Sequence, residues 1–385
     1  LLHVAQIGFF NDPEGRAPQQ LLESWSTMVD VAEAAGRAGM RVTLVQACAQ
    51  RAQFERNGVQ YHFLPFAERA AGGEHAALAP LLHTLAPDVF HVHGLGFHRE
   101  VAMLAASAAG VPIILQDHAS RPPPLWRRMR WRRGLACASG IAFCAREQAR
   151  PFVNAGLVGA HTRVYEIPES TSRFAPGDGG EARRLTGVQG DPALLWVGHF
   201  DANKDPLAVL EGVSAASRAL PGLRLYCCFG TAPLLKPVKE RIASDPTLGE
   251  RVTLLGRVPH ERVEQLMRAA DIFVLGSHRE GSGYSLIEAL ACGLPPVVTD
   301  IPSFRSLTGA GAVGMLWPCG DARALAAALQ SVAPRAGGDT RAAVRAHFER
   351  ELSFDSLGAK LAAMYADVIE RDRRAHSASS AAVAP

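Results

Sequence analysis

Residues 271–300 read DIFVLGSHREGSGYSLIEALACGLPPVVTD. An apolar run, DIFVLGS, leads into a glycine-rich turn, HREGSGY. The turn leads into SLIEALACG, an apolar helical segment ended by Gly293, and then into a second apolar run, PPVVTD. Strands that are apolar on both faces belong to a parallel sheet covered by helices on each side. The stretch therefore reads as strand, turn, helix, strand: one βαβ unit. Gly281 and Gly283 lie in the turn at the first strand's carboxyl end, where the missing Cβ lets backbone approach a ligand closely. A helix starting there aims its positive end and its N–H groups at the turn, which suits phosphate.

The same alternation extends outward in both directions. The first half carries HVAQIGFF, the helical LLESWSTMVDVAEAAGRAG, then RVTLVQA, VQYHFLP, DVFHVHG, VPIILQDH and GIAFCA. Gly39 and Gly110 follow helical segments, where a left-handed cap is needed. Around IPESTSRFAPGDGGEARRLTGVQGD the periodicity lapses into Pro, Gly and charge. It restarts with ALLWVGHF, LRLYCCFG, RVTLLGRV and the opening stretch. The fold class expected is α/β: two Rossmann-like doubly wound domains facing a central cleft. Their bounds read as 1–168 for the first domain, 169–190 for a linker and 191–350 for the second domain. A C-terminal helix over 351–373 is free to pack back on the first domain, and a small, polar tail over 374–385 is expected to be disordered.

With 385 residues and 48% hydrophobic content, the chain suits two domains with a core each. A net charge of +3 is too weak to argue for nucleic acid. Seven cysteines include no C-x-x-C pair, and Cys227 and Cys228 are adjacent in an apolar run, so buried, reduced thiols in a cytoplasmic chain are expected. No apolar run approaches the roughly 20 residues of a membrane span. The opening LLHVAQIGFF has no basic flank and reads as a strand rather than a signal peptide.

Glu280 and Glu288 flank the glycine turn, and each has two readings. Ser285-Leu286-Ile287-Glu288 fits the capping box S-x-x-E, in which the glutamate only ties off the helix start. Glu280 is either a solvated loop carboxylate or a ligand for hydroxyl groups. A carboxylate is an acceptor-only group and can take both protons of a vicinal diol.

The stretch EGSGYSLIEALACGLPPVV resembles the E-x7-E signature of the retaining glycosyltransferases of family GT4, which have the GT-B fold. The resemblance covers almost the whole chain, block by block: PDVFHVHGL, the IP…RFAP segment, LLWVGHFDANKDP, VTLLGRVPHERVEQLMRAADIFVLGS and the closing SF…LAAMYADVI. It implies that Glu280 meets hydroxyls of a donor sugar and that Glu288 binds the ribose of a UDP- or GDP-linked donor. Lys204 matches the family's diphosphate-binding lysine, and the chain has only four lysines. Gly281, Ser282, Gly283, Tyr284 and Ser285 of the turn, with Arg257 and Val258, complete the implied donor set. His118 resembles the first-domain histidine that faces the donor sugar near its reacting carbon.

Two positions depart from the pattern. His199 stands where an arginine is usual, and it lacks the bidentate fork of a guanidinium; Arg257 or Arg279 would have to compensate. The glycine pair of the first loop appears as NDPEGR, which leaves Gly15 as the acceptor-side glycine. No D-x-D triplet occurs, so the resemblance points to a metal-independent enzyme without a cofactor, with the helix end and Lys204 carrying the diphosphate charge. His91, His93, His98 and His118 sit near strand ends. A zinc site there lacks a completing ligand at standard spacing, and His91 and His93 share one strand face, where histidines are usually structural.

The arginine-rich run WRRMRWRRG, Trp126–Gly134, reads either as a basic, tryptophan-bearing helix resting on anionic lipid or as a solvated helix with its tryptophans turned inward. Peripheral contact at the inner face of a membrane through 126–133 follows from the first reading. The overall expectation is a cytoplasmic hexosyltransferase acting on a glycan or lipid-linked acceptor. The rivals are a non-hydrolysing sugar-nucleotide epimerase and a degenerate nucleotide-sugar-binding protein. A Rossmann dehydrogenase is disfavoured because no G-x-G-x-x-G follows the first strand.

Overall fold

The computed structural model describes residues 1–65 and 78–383. The chain divides into two compact units, Leu1–Thr171 with Phe354–Pro385, and Ser172–Ser353.

The first unit holds an eight-stranded sheet in the order β3-β4-β2-β1-β5-β6-β7-β8. Its strands are β1 (His3–Gly8), β2 (Arg41–Ala47), β3 (Ala52–Arg56), β4 (Val59–Leu64), β5 (Val89–His93), β6 (Ile113–Gln116), β7 (Gly140–Phe143) and β8 (Arg163–Glu166). Every pairing is parallel except β3 with β4. All six residues of β1 are buried, because helices cover both faces. Val4 faces one apolar core and its neighbour Ala5 the other. Strands β3 and β8 escape a reading by apolar runs: their residues are half-buried or exposed, as sheet edges allow.

The C-terminal helix, Phe354–Val383, belongs to this unit. Leu357, Leu361, Met364, Tyr365 and Val368 recur at helical spacing and join the core with Val31, Ala34 and Ala35 of helix Ser26–Arg37. Burying each large side chain contributes about 2 kcal/mol. A Cβ on Gly358 would stand 2.5 Å from the Ala34 carbonyl oxygen, so the two backbones approach as only glycine permits. The helix runs on through most of the stretch expected to be a disordered tail. That stretch is rich in alanine, which pays no side-chain entropy in a helix. The tail's last two residues, 384–385, lie outside the described residues.

The second unit carries six parallel strands in the order β11-β10-β9-β12-β13-β14. They are β9 (Ala193–Val197), β10 (Arg224–Cys228), β11 (Val252–Gly256), β12 (Ile272–Leu275), β13 (Pro296–Thr299) and β14 (Met315–Trp317). The expected linker covered 169–190. From Ser172 it belongs to the second unit, and it contains helix Gly179–Thr186. Asp178 caps that helix by accepting the Glu181 N–H, and Gly187 ends it at φ 74°. Arg183 anchors it by an ion pair to Asp271 at 2.6 Å. The residues that read as a loop in sequence are thus the two caps of a short helix.

Candidate active site

In both sheets the strand order reverses beside the first strand of the unit, between β1 and β5 and between β9 and β12. The loops leaving the carboxyl ends there diverge, which opens a crevice in a doubly wound sheet.

In the second unit the two loops are tied together. The His278 N–H donates to the Asn203 carbonyl at 2.7 Å. Asn203 Nδ2 donates to the Arg279 carbonyl at 2.9 Å. The Asp201 carboxylate accepts the Lys204 N–H at 2.9 Å, and Asp205, at φ 50°, caps helix Pro206–Ala216. A Cβ on Gly276 would meet the Lys204 carbonyl oxygen at 2.9 Å, so this glycine lets the loops close on each other. The result is an ion pair between Lys204 Nζ and Glu280 Oε1, with the two side chains only 15% and 13% exposed.

Helix Tyr284–Ala291 follows. Its N-cap is Gly283, at φ 91°, and a Cβ there would stand 2.5 Å from Phe304 Cε1. Helix geometry thus begins before Ser285, and the capping-box reading of Ser285 and Glu288 does not hold. No side chain caps this start. Glu288 instead lies inside the helix, 3% exposed, with its carboxylate on His260 Nε2. Burial pushes the Glu288 carboxyl up from its ordinary value, while His260 pulls it back. The His260 ring in turn lies 4.6 Å from the Phe174 ring and stacks at 6.5 Å on Tyr284.

Gly281 and Ser282 are buried in the turn, Val258 is half-buried and Arg257 exposed. His199 is exposed at the end of β9, and its Nδ1 accepts the Thr231 N–H at 3.1 Å. That bond leaves the neutral ring's proton on Nε2, a single donor where a guanidinium would present several.

In the first unit a cavity of about 380 Å³ sits at the β1–β5 reversal, lined among others by Trp25, Gln46, His93, Phe97 and His118. His118 Nδ1 contacts Glu169 Oε2 at 2.5 Å, and its Nε2 lies 3.1 Å from His93 Nδ1. His93 Nε2 reaches Gln6 Oε1 at 3.4 Å. Burial lowers the His118 pKa, but the hydrogen bond and charge of Glu169, with Asp117, carry it above the ordinary value. His93 is held well below by burial and by its histidine neighbours. Both shifts favour a proton on His118 over one on His93 in this pair.

His91 is fully buried against the Tyr365 hydroxyl at 2.7 Å, with its pKa lowered to about 3. It is a core histidine. Asp117 Oδ1 accepts the Ser120 N–H at 2.9 Å and starts a turn. Gly15, at φ 63°, closes a turn on the Asp12 carbonyl and is not among the residues lining the cavity. His98 stacks on Trp131 instead of joining the other three histidines. Among the described residues no group of three or more His, Cys, Asp or Glu is arranged to hold a metal.

Three residues were not singled out in the sequence. His260 lies in the quoted VPHERVEQL block, but its partner is 28 positions away. Glu169 lay in the supposed linker, and Asn203 looked like an ordinary loop residue.

Two family descriptions match the chain: glycosyl transferases group 1 over residues 181–342, and glycosyl transferase 4-like domain over residues 24–168. A 2-deoxystreptamine N-acetyl-D-glucosaminyltransferase of Streptomyces fradiae is 27% identical over 76% of the chain and 73% of the relative. A D-inositol 3-phosphate glycosyltransferase of Nocardia farcinica is 30% identical over 51% of the chain, which spans 45% of that protein. A GDP-mannose:cellobiosyl-diphosphopolyprenol alpha-mannosyltransferase of Xanthomonas campestris is 26% identical, over 66% of each. Among solved structures, Anabaena HepE in complex with UDP superposes with a TM-score of 0.72 at 15% identity, over 95% of the chain and all of HepE. Sucrose-phosphate synthase from Thermosynechococcus elongatus gives 0.69 at 18% identity, over 96% of the chain and all of that structure. With both matches in place on two doubly wound units of the GT-B fold, the chain belongs to the group 1 glycosyltransferases, family GT4.

Proposed function

We propose that this chain is a retaining hexosyltransferase that uses a nucleoside-diphosphate sugar and passes the hexose to a hydroxyl of a glycan or lipid-linked acceptor, in polysaccharide or glycolipid synthesis. The observation that carries the donor site is the ion pair of Lys204 and Glu280 at the β9–β12 reversal, beside the helix that buries Glu288. Lys204 and the Tyr284 helix start bind the diphosphate, with His199 as a further single donor. Glu288 takes the ribose hydroxyls and Glu280 those of the hexose. Gly281, Ser282, Gly283 and Ser285 bring backbone to the phosphates, Tyr284 and Val258 border the nucleoside, and Arg257 adds charge. His118 is assigned to the hexose near its reacting carbon, on the strength of the family resemblance.

The reaction forms a bond from the acceptor oxygen to the anomeric carbon and breaks the bond from that carbon to the diphosphate. With front-face attack, the acceptor's proton passes to the leaving phosphate oxygen, and the protein contributes positioning and electrostatics. The HepE structure contains UDP, and the Xanthomonas relative is named for GDP-mannose and a diphosphopolyprenol acceptor, which supports this substrate class. The sequence has no D-x-D, so donor binding is assigned to Lys204 and the helix end without a metal. Calorimetry with UDP and GDP, with and without EDTA, tests this. Binding that persists in EDTA supports it; binding lost in EDTA and restored by magnesium refutes the metal-independent form.

A further inference from the structure

The C-terminal helix brings a polar group into the core of the first unit. Along β1, β5 and β6, the sheet face that shares a core with that helix starts apolar, at Val4, Val89 and Ile114. Two residues further on, where the same face recurs, stand Gln6, His91 and Gln116, each fully buried. Polar side chains taken out of water destabilise a core unless they find partners, so apolar residues would serve packing better here. What a partnered polar row adds is a single arrangement of its members.

Tyr365 enters this row. Its side chain is fully buried, and its hydroxyl lies 2.7 Å from His91 Nδ1, a residue 274 positions away. The other side chains that the helix sends into this core, Leu357, Leu361, Met364 and Val368, are apolar. Burial pushes the Tyr365 hydroxyl above its ordinary value, so it keeps its proton, and the Gln6 side chain adjoins it. From there the row leads to the cavity. The His91 and His93 rings stack, with centroids 4.9 Å and planes 22° apart. Gln6 Oε1 lies 3.4 Å from His93 Nε2, on the far side of that ring. His93 Nδ1 meets His118 Nε2 at 3.1 Å. The His118 side chain, 31% exposed, is where the row opens into the cavity.

We propose that Tyr365 is a positioning residue for His118. Through Gln6 and the His91–His93 stack, its hydroxyl sets where His93 Nδ1 meets His118 Nε2, while Glu169 holds the opposite ring nitrogen. The imidazole then has one orientation toward the cavity before a sugar arrives. The proposal rests on the assignment of His118 to the hexose. A group shifted slightly from its place beside a reacting carbon costs rate more than affinity. The nucleotide is assigned to the second unit, so its binding does not depend on this row.

The test is NMR of the full chain with 15N-labelled histidine, beside donor turnover. The donor is UDP-glucose or GDP-mannose, whichever base calorimetry selects. Tyr365→Phe keeps the ring and removes only the hydroxyl. It should displace the His93 and His118 imidazole resonances at fixed pH. It should also lower kcat roughly 3- to 10-fold, the worth of one hydrogen bond, with KM changed less than about twofold. Nucleoside diphosphate affinity should stay as in the parent. Leu361→Ala, from the same helix and core, should lower the melting temperature and leave both the resonances and kcat in place. Gln6→Met reaches His93 from β1 and should displace the same resonances; it carries the test if Tyr365→Phe does not fold. A Tyr365→Phe variant that melts earlier, with resonances and kcat unmoved, would make Tyr365 a core residue only and overturn the proposal. So would equal displacement in Leu361→Ala, or none in Gln6→Met. His118→Gln with full turnover would instead refute the hexose assignment; Tyr365→Phe would then move the resonances without touching kcat.

Discussion

Lys204→Ala perturbs the ion pair at the strand-order reversal, and the structure gives its size. Each side chain of the pair is about one-seventh exposed, so removing the ammonium leaves a carboxylate mostly out of water. Leaving that charge without its partner costs about 1–3 kcal/mol of stability. Loss of one charge-assisted contact to the diphosphate costs about 1.5–3 kcal/mol of binding, roughly 10- to 150-fold. The nucleoside alone makes no such contact and should bind almost as before. The double variant Lys204→Met, Glu280→Gln separates the two effects. Removing both charges should return most of the stability, as replacing both partners of a buried pair is often near neutral. It should return none of the diphosphate affinity. The assay is calorimetry with nucleoside, nucleoside monophosphate and nucleoside diphosphate, beside thermal unfolding of each variant. Equal losses for nucleoside and diphosphate, or recovery of binding in the double variant, would show that Lys204 shapes the loop and does not hold phosphate.

Three further outcomes follow from the same geometry. Glu288→Gln should weaken nucleoside diphosphate binding at pH 7, and because burial raises this carboxyl while His260 lowers it, His260→Ala should move the acid limb of nucleotide binding to higher pH; an unmoved limb would remove His260 from the site. Glu169→Gln should lower the His118 pKa, read by NMR of the imidazole. The His118 pKa is raised in the folded chain, so its contribution to stability is full below the unfolded value near 6.5 and lost as pH rises through the folded value; the variant should be destabilised mainly on the acid side, and a uniform loss across pH would contradict the coupling. Gly283→Ala should cost about 2 kcal/mol in thermal unfolding, from its positive φ and the Phe304 contact, and a neutral result would show that the turn can relax.

How far the sequence carried these conclusions depended on what each residue was packed against. The runs of β1, β2, β9 and β12 were legible because strands covered on both faces are mostly apolar, and the few polar residues in them, such as Gln6 and Thr43, are buried. Edge strands β3 and β8 were not, since exposure lets Gln53, Glu55 and Arg163 stand in them. Gly283 was legible as a turn residue, yet its φ of 91° and its place as N-cap depend on Phe304, 21 positions on. The S-x-x-E spacing left a capping-box reading open that the structure closes: the helix begins at Tyr284, just after the turn's glycine, which puts Ser285 inside the helix and frees Glu288 to face His260. Residues paired across long separations left no local sign. Glu169 meets His118 from 51 positions away, out of a stretch whose Pro, Gly and charge read as linker. The run at 271–300 told most because its chemistry is local: one strand end, one turn and one helix start carry both glutamates.

The most direct test of the donor-site assignment is a crystal structure of the chain with the nucleoside diphosphate it binds. The account predicts the diphosphate at Lys204 Nζ and the backbone N–H groups of 281–285, with the ribose hydroxyls on the Glu288 carboxylate. A nucleotide seated elsewhere, or one whose ribose leaves Glu288 still closed on His260, would contradict it.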